Sequence, residues 1–311
     1  MHNIFTKGKK MYLKALKILW PAIKSQKKLS ILVLLGLFCT IGLRVYFNYW
    51  NKFFYNSLQN YEADKVFYYL GMFAVAAGAF VLVTGFTAYW TRFLEFGIRE
   101  HLFDRYSKTW DKVEVKNPEQ RLSEDTIQFG RIMLSFLKTL INALVMLPVF
   151  LYILLSVANI WVATAGLAYA LFGTYFSRRV AKPLVDLEFQ QQQKEAEFRK
   201  QLTYAVDVKS NSIFPTLDDI KKNWMHLAKR NKYLSFYTSG YSQIGVIIPY
   251  ILLLPLYLSK KILLGDLFQI SSAMDKVLES LSVLIESRDV MVELTMVTQR
   301  LDQLEQGEKD K

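Results

Sequence analysis

Apolar residues gather along the chain in blocks of about 20, the length a helix needs to cross a hydrocarbon core of roughly 30 Å. Five blocks are plain: Leu29–Tyr46, Val66–Tyr89, Leu134–Val157, Ile160–Phe176 and Ile244–Leu258. A sixth, Leu267–Asp289, is less apolar and carries acids. Gly71, Gly78, Gly85, Pro148, Pro249 and Pro255 fall inside these blocks without opposing helix, because neighbouring helices re-satisfy freed backbone groups in a membrane. Two long connections keep a helical pattern. Thr91–Trp110 and Leu184–Asp207 place apolar residues among charges, and so predict amphipathic extensions of the second and fourth spans. Ser, Asn and Pro concentrate in Ser210–Asp219, which predicts a turn. The pattern predicts an all-α polytopic membrane protein with six spans. A basic amphipathic segment occupies 1–28, the transmembrane domain 29–300 and a short tail 301–311. In the first segment Lys10, Lys14 and Lys17 share one face while Leu13, Leu16 and Trp20 line another, as in a helix lying on a membrane surface.

The charge of +12 on 311 residues fixes an orientation rather than a chemistry. Eight Lys or Arg lie between Arg92 and Arg131 and twelve between Arg178 and Lys232, while the loop near Asn159 has none. The positive-inside rule therefore places both termini and both long connections in the cytoplasm; Lys260 and Lys261 oppose it weakly. Topology and anionic lipid account for the basic runs, so nucleic acid is not an expected partner. The single cysteine, Cys39, allows no disulfide within one chain. No secretory signal and no nucleotide-binding glycine loop occur in the sequence. Three histidines without ligand spacing predict no metal, and no cofactor or catalytic residue is expected.

The sixth block raises the functional question. In Asp275–Leu294, "DKVLESLSVLIESRDVMVEL", the acids Asp275, Glu279, Glu286, Asp289 and Glu293 fall within about 40° of one line at 100° per residue. A carboxylate facing lipid costs several kcal/mol, so the stripe should face a water-filled cavity or a dimer axis. Like charges in a partly dehydrated cavity favour proton binding. Glu279 and Glu286 are therefore the leading candidates for sensing a proton gradient and attracting cationic substrate. The alternative is that the inner half of the stripe is simply solvated. Arg44 and Lys138 lie near span ends, from which they can snorkel. Tyr46, Tyr49, Trp50 and Phe53 sit where the first block ends; an interfacial belt and a stacking surface for substrate both fit them.

Four segments carry a family resemblance. Asn117–Phe129 "NPEQRLSEDTIQF", Lys194–Tyr204 "KEAEFRKQLTY" and Val292–Glu305 "VELTMVTQRLDQLE" resemble stretches of the SbmA/BacA family of bacterial inner-membrane peptide transporters. Arg44–Asn60 "RVYFNYWNKFFYNSLQN" resembles a segment shared by that family and the peroxisomal fatty-acyl ABC half-transporters. The resemblance implies an ABC-exporter-like, domain-swapped homodimer in the bacterial inner membrane without an ATPase domain. It implies proton-driven uptake of antimicrobial peptides or other bulky solutes. It adds Glu195, Glu197 and Asp207 as coupling candidates and Arg121, Glu124 and Asp125 as a gating motif. Residue reading alone gives Ser123 as a helix cap and pairs Glu195 and Glu197 with Arg199 and Lys200. There are two departures from the family pattern. Ala205, Val206 and Asp207 stand where the family has Gly-Glu-Asp, and the chain starts later than relatives with an additional N-terminal membrane segment. Two other functions remain open at this level: the membrane subunit of an ABC transporter with a separately encoded ATPase, and a non-transporting membrane scaffold or sensor.

Overall fold

The structure is a computed structural model that describes residues 2–108, 119, 121–158, 160–208 and 217–306. Among them no strand occurs, and the regular elements are helices. In chain order these are α1 (His2–Ser25), α2 (Lys27–Gln59), α3 (Ala63–Tyr106), a π-helical turn (Arg121–Asp125), α4 (Thr126–Val157), α5 (Ile160–Val208), α6 (Asp218–Leu258), α7 (Leu264–Glu286) and α8 (Arg288–Gln306). Most of the turn expected at Ser210–Asp219 lies outside the described residues.

The helices outrun the apolar blocks that predict them. At 1.5 Å per residue, the 33 residues of α2 extend about 50 Å, well beyond a hydrocarbon core. The aromatic segment Tyr46–Tyr55 therefore belongs to the body of α2 rather than to its exit. Helix continues past both apolar blocks: α3 runs unbroken for 44 residues to Tyr106 and α5 for 49 to Val208. Among the described residues, five helical segments are long and apolar enough to cross a membrane: Lys27–Gln59, Ala63–Tyr106, Arg121–Val157, Ile160–Ser177 and Asp218–Leu258. The sixth expected span, in α7, is not one of these; the acids that make it interesting also lower its hydropathy.

The chain divides into two compact units, 1–159 with 254–311, and 160–253. In the first, α2 packs on α3 and α7, and α4 packs on α3, α7 and α8. Glycines allow close crossings: a Cβ on Gly36 would collide with the Thr87 side chain, and one on Gly265 with the Lys52 carbonyl. Within α3, the Thr87 and Thr91 hydroxyls donate to the carbonyls of Val83 (2.6 Å) and Thr87 (2.7 Å), which satisfies them in an apolar setting. One core gathers Ala15, Ile18, Leu19 and Ala22 of α1, Leu94, Ile98, Leu102 and Tyr106 of α3, the start of α4, and Leu294, Val297, Leu301 and Leu304 of α8. Thus α1 carries two apolar rows. The row read from the sequence, Leu13, Leu16 and Trp20, is exposed as a surface-lying helix requires; the other row anchors α1 to the protein.

In the second unit, α5 and α6 run antiparallel. The Tyr169 hydroxyl donates to the Tyr241 carbonyl, the Tyr241 hydroxyl to the Tyr169 carbonyl (3.2 Å) and the Tyr237 hydroxyl to the Gly173 carbonyl (3.1 Å). Farther along, the Asn223 amide donates to the Leu187 carbonyl at 3.1 Å. Each step along α5 is thus matched by an equal step back along α6. A Cβ on Gly173 would enter the Tyr241 ring, so the tyrosine packs flat on bare backbone.

Candidate functional site

The polar face of α2 repeats every fourth residue: Arg44, Asn48, Lys52 and Asn56. This spacing aligns them on one side of the helix, and α7 supplies a partner at each step. The Asn56 side chain accepts from the Gly265 amide (2.7 Å), and Gln59, nearby, from the Leu264 amide (2.7 Å). These two bonds satisfy backbone donors that the first turn of a helix leaves open. Lys52 pairs with Asp266 at 3.0 Å. The Asn48 amide donates to the Gln269 carbonyl at 2.9 Å. At the far end, Arg44 lies 3.8 Å from Glu279 and also contacts the Met146 sulfur at 3.6 Å. Arg44 stands in the middle of α2, close enough to α7 to pair with an acid there.

At the centre of this seam are two buried amides. Asn48 is 1% exposed and Gln269 0%. Asn48 Oδ1 and both polar atoms of the Gln269 side chain have no protein partner among the described residues. Each such group costs about 1–3 kcal/mol unless something satisfies it. The seam therefore joins two tight ends through an under-satisfied middle. Sequence reading missed Asn48, Lys52 and Asn56 because aromatic residues fill the positions between them. The four-residue repeat was the available signal.

The acids of the sixth block stand as follows. Asp275 and Glu279 are exposed on α7, while Ile270, Ala273, Met274 and Val277 on its other side are buried. Glu279, with half its side chain exposed, pairs with Lys276 as well as facing Arg44. The five acids do not share one helix, however. Ser287 separates α7 from α8, although the helical hydrogen bonds Ser287 N–H to the Val283 carbonyl and Met291 N–H to the Ser287 carbonyl persist across it. Glu293 belongs to α8 and is exposed. The side chains of Glu286, Asp289 and Asp207 lie outside the described residues.

Two of the family-like motifs meet in the first unit. Asp125 is buried and receives two of the three Arg300 guanidinium nitrogens, Nε at 2.9 Å and Nη2 at 2.7 Å. Arg121 donates to the Arg300 carbonyl (3.0 Å) and to Gln303 Oε1 (2.9 Å). Asp302, two residues on, accepts from Lys14 of α1 at 2.6 Å. Asp125 thus takes a charge partner from α8. The capping expectation is corrected. Residues 121–125 form a π turn, and α4 begins after Asp125 with no side-chain cap. Glu124, exposed in the same turn, also has a polar partner.

In the second unit, Glu195 accepts from the Gln191 amide (2.9 Å), and Gln191 Oε1 accepts from the buried Asn223 amide (2.8 Å). Glu197 accepts from Gln201 at 3.3 Å. The partners given to both acids are amides one turn away, where charge pairs with Arg199 and Lys200 were expected. Of the aromatics, Trp50 is committed to structure: its indole N–H donates to the Tyr69 carbonyl at 2.8 Å, and its ring stacks on Phe54. Phe53 stacks on Tyr69 at 6.0 Å and Tyr46 meets Phe47 edge-on. Tyr49 and Phe53 remain exposed. Among the described residues no cluster of His, Cys, Asp and Glu could hold a metal ion.

Five helical segments long and apolar enough to cross a membrane define a polytopic helical membrane protein, in which a polar seam joins one of them, α2, to the acid-bearing α7. Residues 22–308 match the SbmA/BacA-like family, and the chain belongs to that family. It is 28% identical to the inner membrane ABC transporter ATP-binding protein YddA of Escherichia coli (strain K12), over 95% of this chain and 60% of that protein. It is 30% identical to ABC transporter D family member 2, chloroplastic, of Arabidopsis thaliana, over 96% of this chain and 46% of that protein. An uncharacterized ABC transporter ATP-binding protein of Synechocystis is 24% identical over 85% of this chain and 44% of its own length. The chain thus spans about half the length of the curated relatives it matches.

Proposed function

We propose that the chain is the membrane part of a homodimeric importer that uses the proton gradient of a bacterial inner membrane to take up peptides or other bulky solutes. Membership of the SbmA/BacA-like family supports transport across a membrane. The observation that carries proton coupling is the acid face of α7. Asp275 and Glu279 project from a helix whose opposite side is buried in apolar contacts. In a membrane, such carboxyls require water or a second copy beside them. Protonation of Glu279 would leave Arg44 and Lys276 without their counter-charge and so weaken the inner end of the α2–α7 seam. Proton binding would thereby alter helix packing, as alternating access needs. On this reading α7 is the sixth span, and Glu286, Glu293, Glu195, Glu197 and Asp207 are secondary coupling candidates. Arg121, Glu124 and Asp125 act in the gate, and the exposed Tyr49 and Phe53, with Tyr46, offer surface to substrate.

The test is uptake of a labelled cationic peptide into proteoliposomes with an imposed pH gradient and no ATP. Wild type should accumulate peptide. Asp275→Asn with Glu279→Gln should abolish accumulation while keeping the dimer. Unimpaired uptake by that double variant would remove the coupling assignment. The names of the relatives support a second reading, in which the chain is the membrane domain of an ATP-driven transporter. Uptake that ignores the pH gradient and requires ATP with a nucleotide-binding partner would establish it. Failure under both conditions would leave a scaffold or sensor.

A further inference from the structure

Beside the end of its apolar run, α5 forms a groove with α6. The groove, of about 580 Å³, is lined by Pro183 and Leu187 of α5 and by His226, Lys229, Arg230 and Tyr233 of α6. None of the acids discussed above lines it. Its depth relative to a membrane follows from the register of the two helices. Gly173 lies beside Tyr237 and Leu187 beside Asn223, so Ser177, the end of the membrane-length segment of α5, lies level with Tyr233. From that level, at 1.5 Å per residue, Arg230 is about 4.5 Å, Lys229 about 6 Å and His226 about 10 Å farther out. The polar layer on each side of a bilayer is about 5–8 Å thick. Measured from the apolar run of α5, Tyr233 stands at the hydrocarbon edge and the two cations in the headgroup layer; the apolar run of α6 itself begins farther in, at Ile244.

The chemistry of the groove suits that depth. The side chains of Lys229 and Arg230 are exposed, and among the described residues no hydrogen bond or ion pair engages them. A guanidinium presents a planar fork that matches phosphate, and an ammonium adds a point charge. Lys232 sits 5.0 Å over the Tyr233 ring, which brings a third cation to the mouth. Leu187 and Pro183 supply an apolar wall. On the membrane side of the groove, Phe236, Ile244, Ile247 and Ile251 are exposed on α6. At 100° per residue they fall, with Lys229, within about 80° of one another. A phosphate held by Lys229 would thus share one face of α6 with Phe236 and, beyond Gly240, with Ile244, Ile247 and Ile251.

We propose that this groove seats the headgroup phosphate of an anionic phospholipid, whose acyl chains lie along that face from Phe236 to Ile251. Lys229 and Arg230 bind the phosphate; Tyr233 marks the boundary between headgroup and chains. The site is independent of the transport reading.

The experiment uses the full chain in nanodiscs of phosphatidylcholine doped with phosphatidylglycerol, with lipids retained on release counted by native mass spectrometry. Wild type should retain phosphatidylglycerol over phosphatidylcholine. Lys229→Gln with Arg230→Gln should weaken that retention roughly tenfold or more, given the usual contribution of each cation near an anionic surface. The swap Lys229→Arg with Arg230→Lys keeps both charges and should retain the lipid, which separates charge loss from misfolding. Inorganic phosphate at millimolar concentration should not displace the lipid. Equal retention by the neutral variant would overturn the proposal. Displacement by inorganic phosphate would also overturn it, by showing a site for a soluble anion.

Discussion

Asp125 and Arg300 come from different ends of the chain, and neither family-like motif shows by itself that they pair. Their geometry sets what each substitution does. The Asp125 carboxylate is 5% exposed and takes both Arg300 contacts. Removing the guanidinium strands a buried charge, whereas replacing both partners by apolar groups of similar shape does not. Because Arg300 is partly exposed, the expected loss for Arg300→Met is at the lower end, about 1–3 kcal/mol. Asp125→Leu with Arg300→Met should recover much of it. Thermal unfolding in one detergent of wild type, Asp125→Leu, Arg300→Met and the double variant checks this, and additive single effects would contradict direct coupling. Glycines give a second residue-scale test. Gly265→Ala drives a methyl into the Lys52 carbonyl and should cost about 1–3 kcal/mol, the usual penalty for overpacking. Gly42→Ala meets nothing within 4 Å and should be neutral or stabilising, since alanine favours helix. Similar melting temperatures for the two variants would argue against the close α2–α7 crossing.

At the level of elements, the α2–α7 seam combines two requirements that usually conflict. Its ends are held by ion pairs and amide contacts; its middle buries Asn48 and Gln269 with polar atoms unpartnered by protein. Gln269→Leu should therefore stabilise the fold by about 1–3 kcal/mol, by removing unsatisfied groups. It should also lower gradient-driven uptake if the seam must loosen during transport. Unfolding in detergent and uptake in proteoliposomes measure the two effects separately, and destabilisation by Gln269→Leu would show that a partner satisfies the amide. Much of this level is legible in the sequence. Runs of about 20 apolar residues mark membrane helices because backbone polar groups must be paired internally there. The continuation of helix past the apolar blocks, to Tyr106 in α3 and Val208 in α5, follows from mixed but periodic patterning. The polar repeat of α2 was hidden by aromatics whose interfacial reading is the commoner one. The pairing of α1 with α8 through Lys14 and Asp302 joins residues 288 positions apart, which no local pattern reports. The π turn at Arg121–Asp125 escaped because "RLSEDT" also has the composition of a helix start.

For the whole molecule, the acid face of α7 limits what can surround it. Asp275 and Glu279 are exposed on the single chain, and lipid is the one surrounding they cannot face cheaply. If two copies associate with α7 beside the shared axis, each stripe gains water and the charges of the other copy. This geometry can be tested with a single engineered thiol, because Cys39 is the only native cysteine. In a Cys39→Ser background, Asp275→Cys should crosslink two chains through a bifunctional maleimide about 10 Å long, a reach that relaxes the tight Cβ spacing a disulfide demands. Phe67→Cys, on an exposed face of α3 away from the stripe, should not crosslink under the same conditions. Labelling of Asp275→Cys by a membrane-impermeant maleimide without any dimer would place the stripe in water but off the axis, and the homodimeric cavity would have to be abandoned. Labelling only by a lipid-soluble reagent would place it in hydrocarbon, where neither a proton nor a cationic substrate could reach it from water.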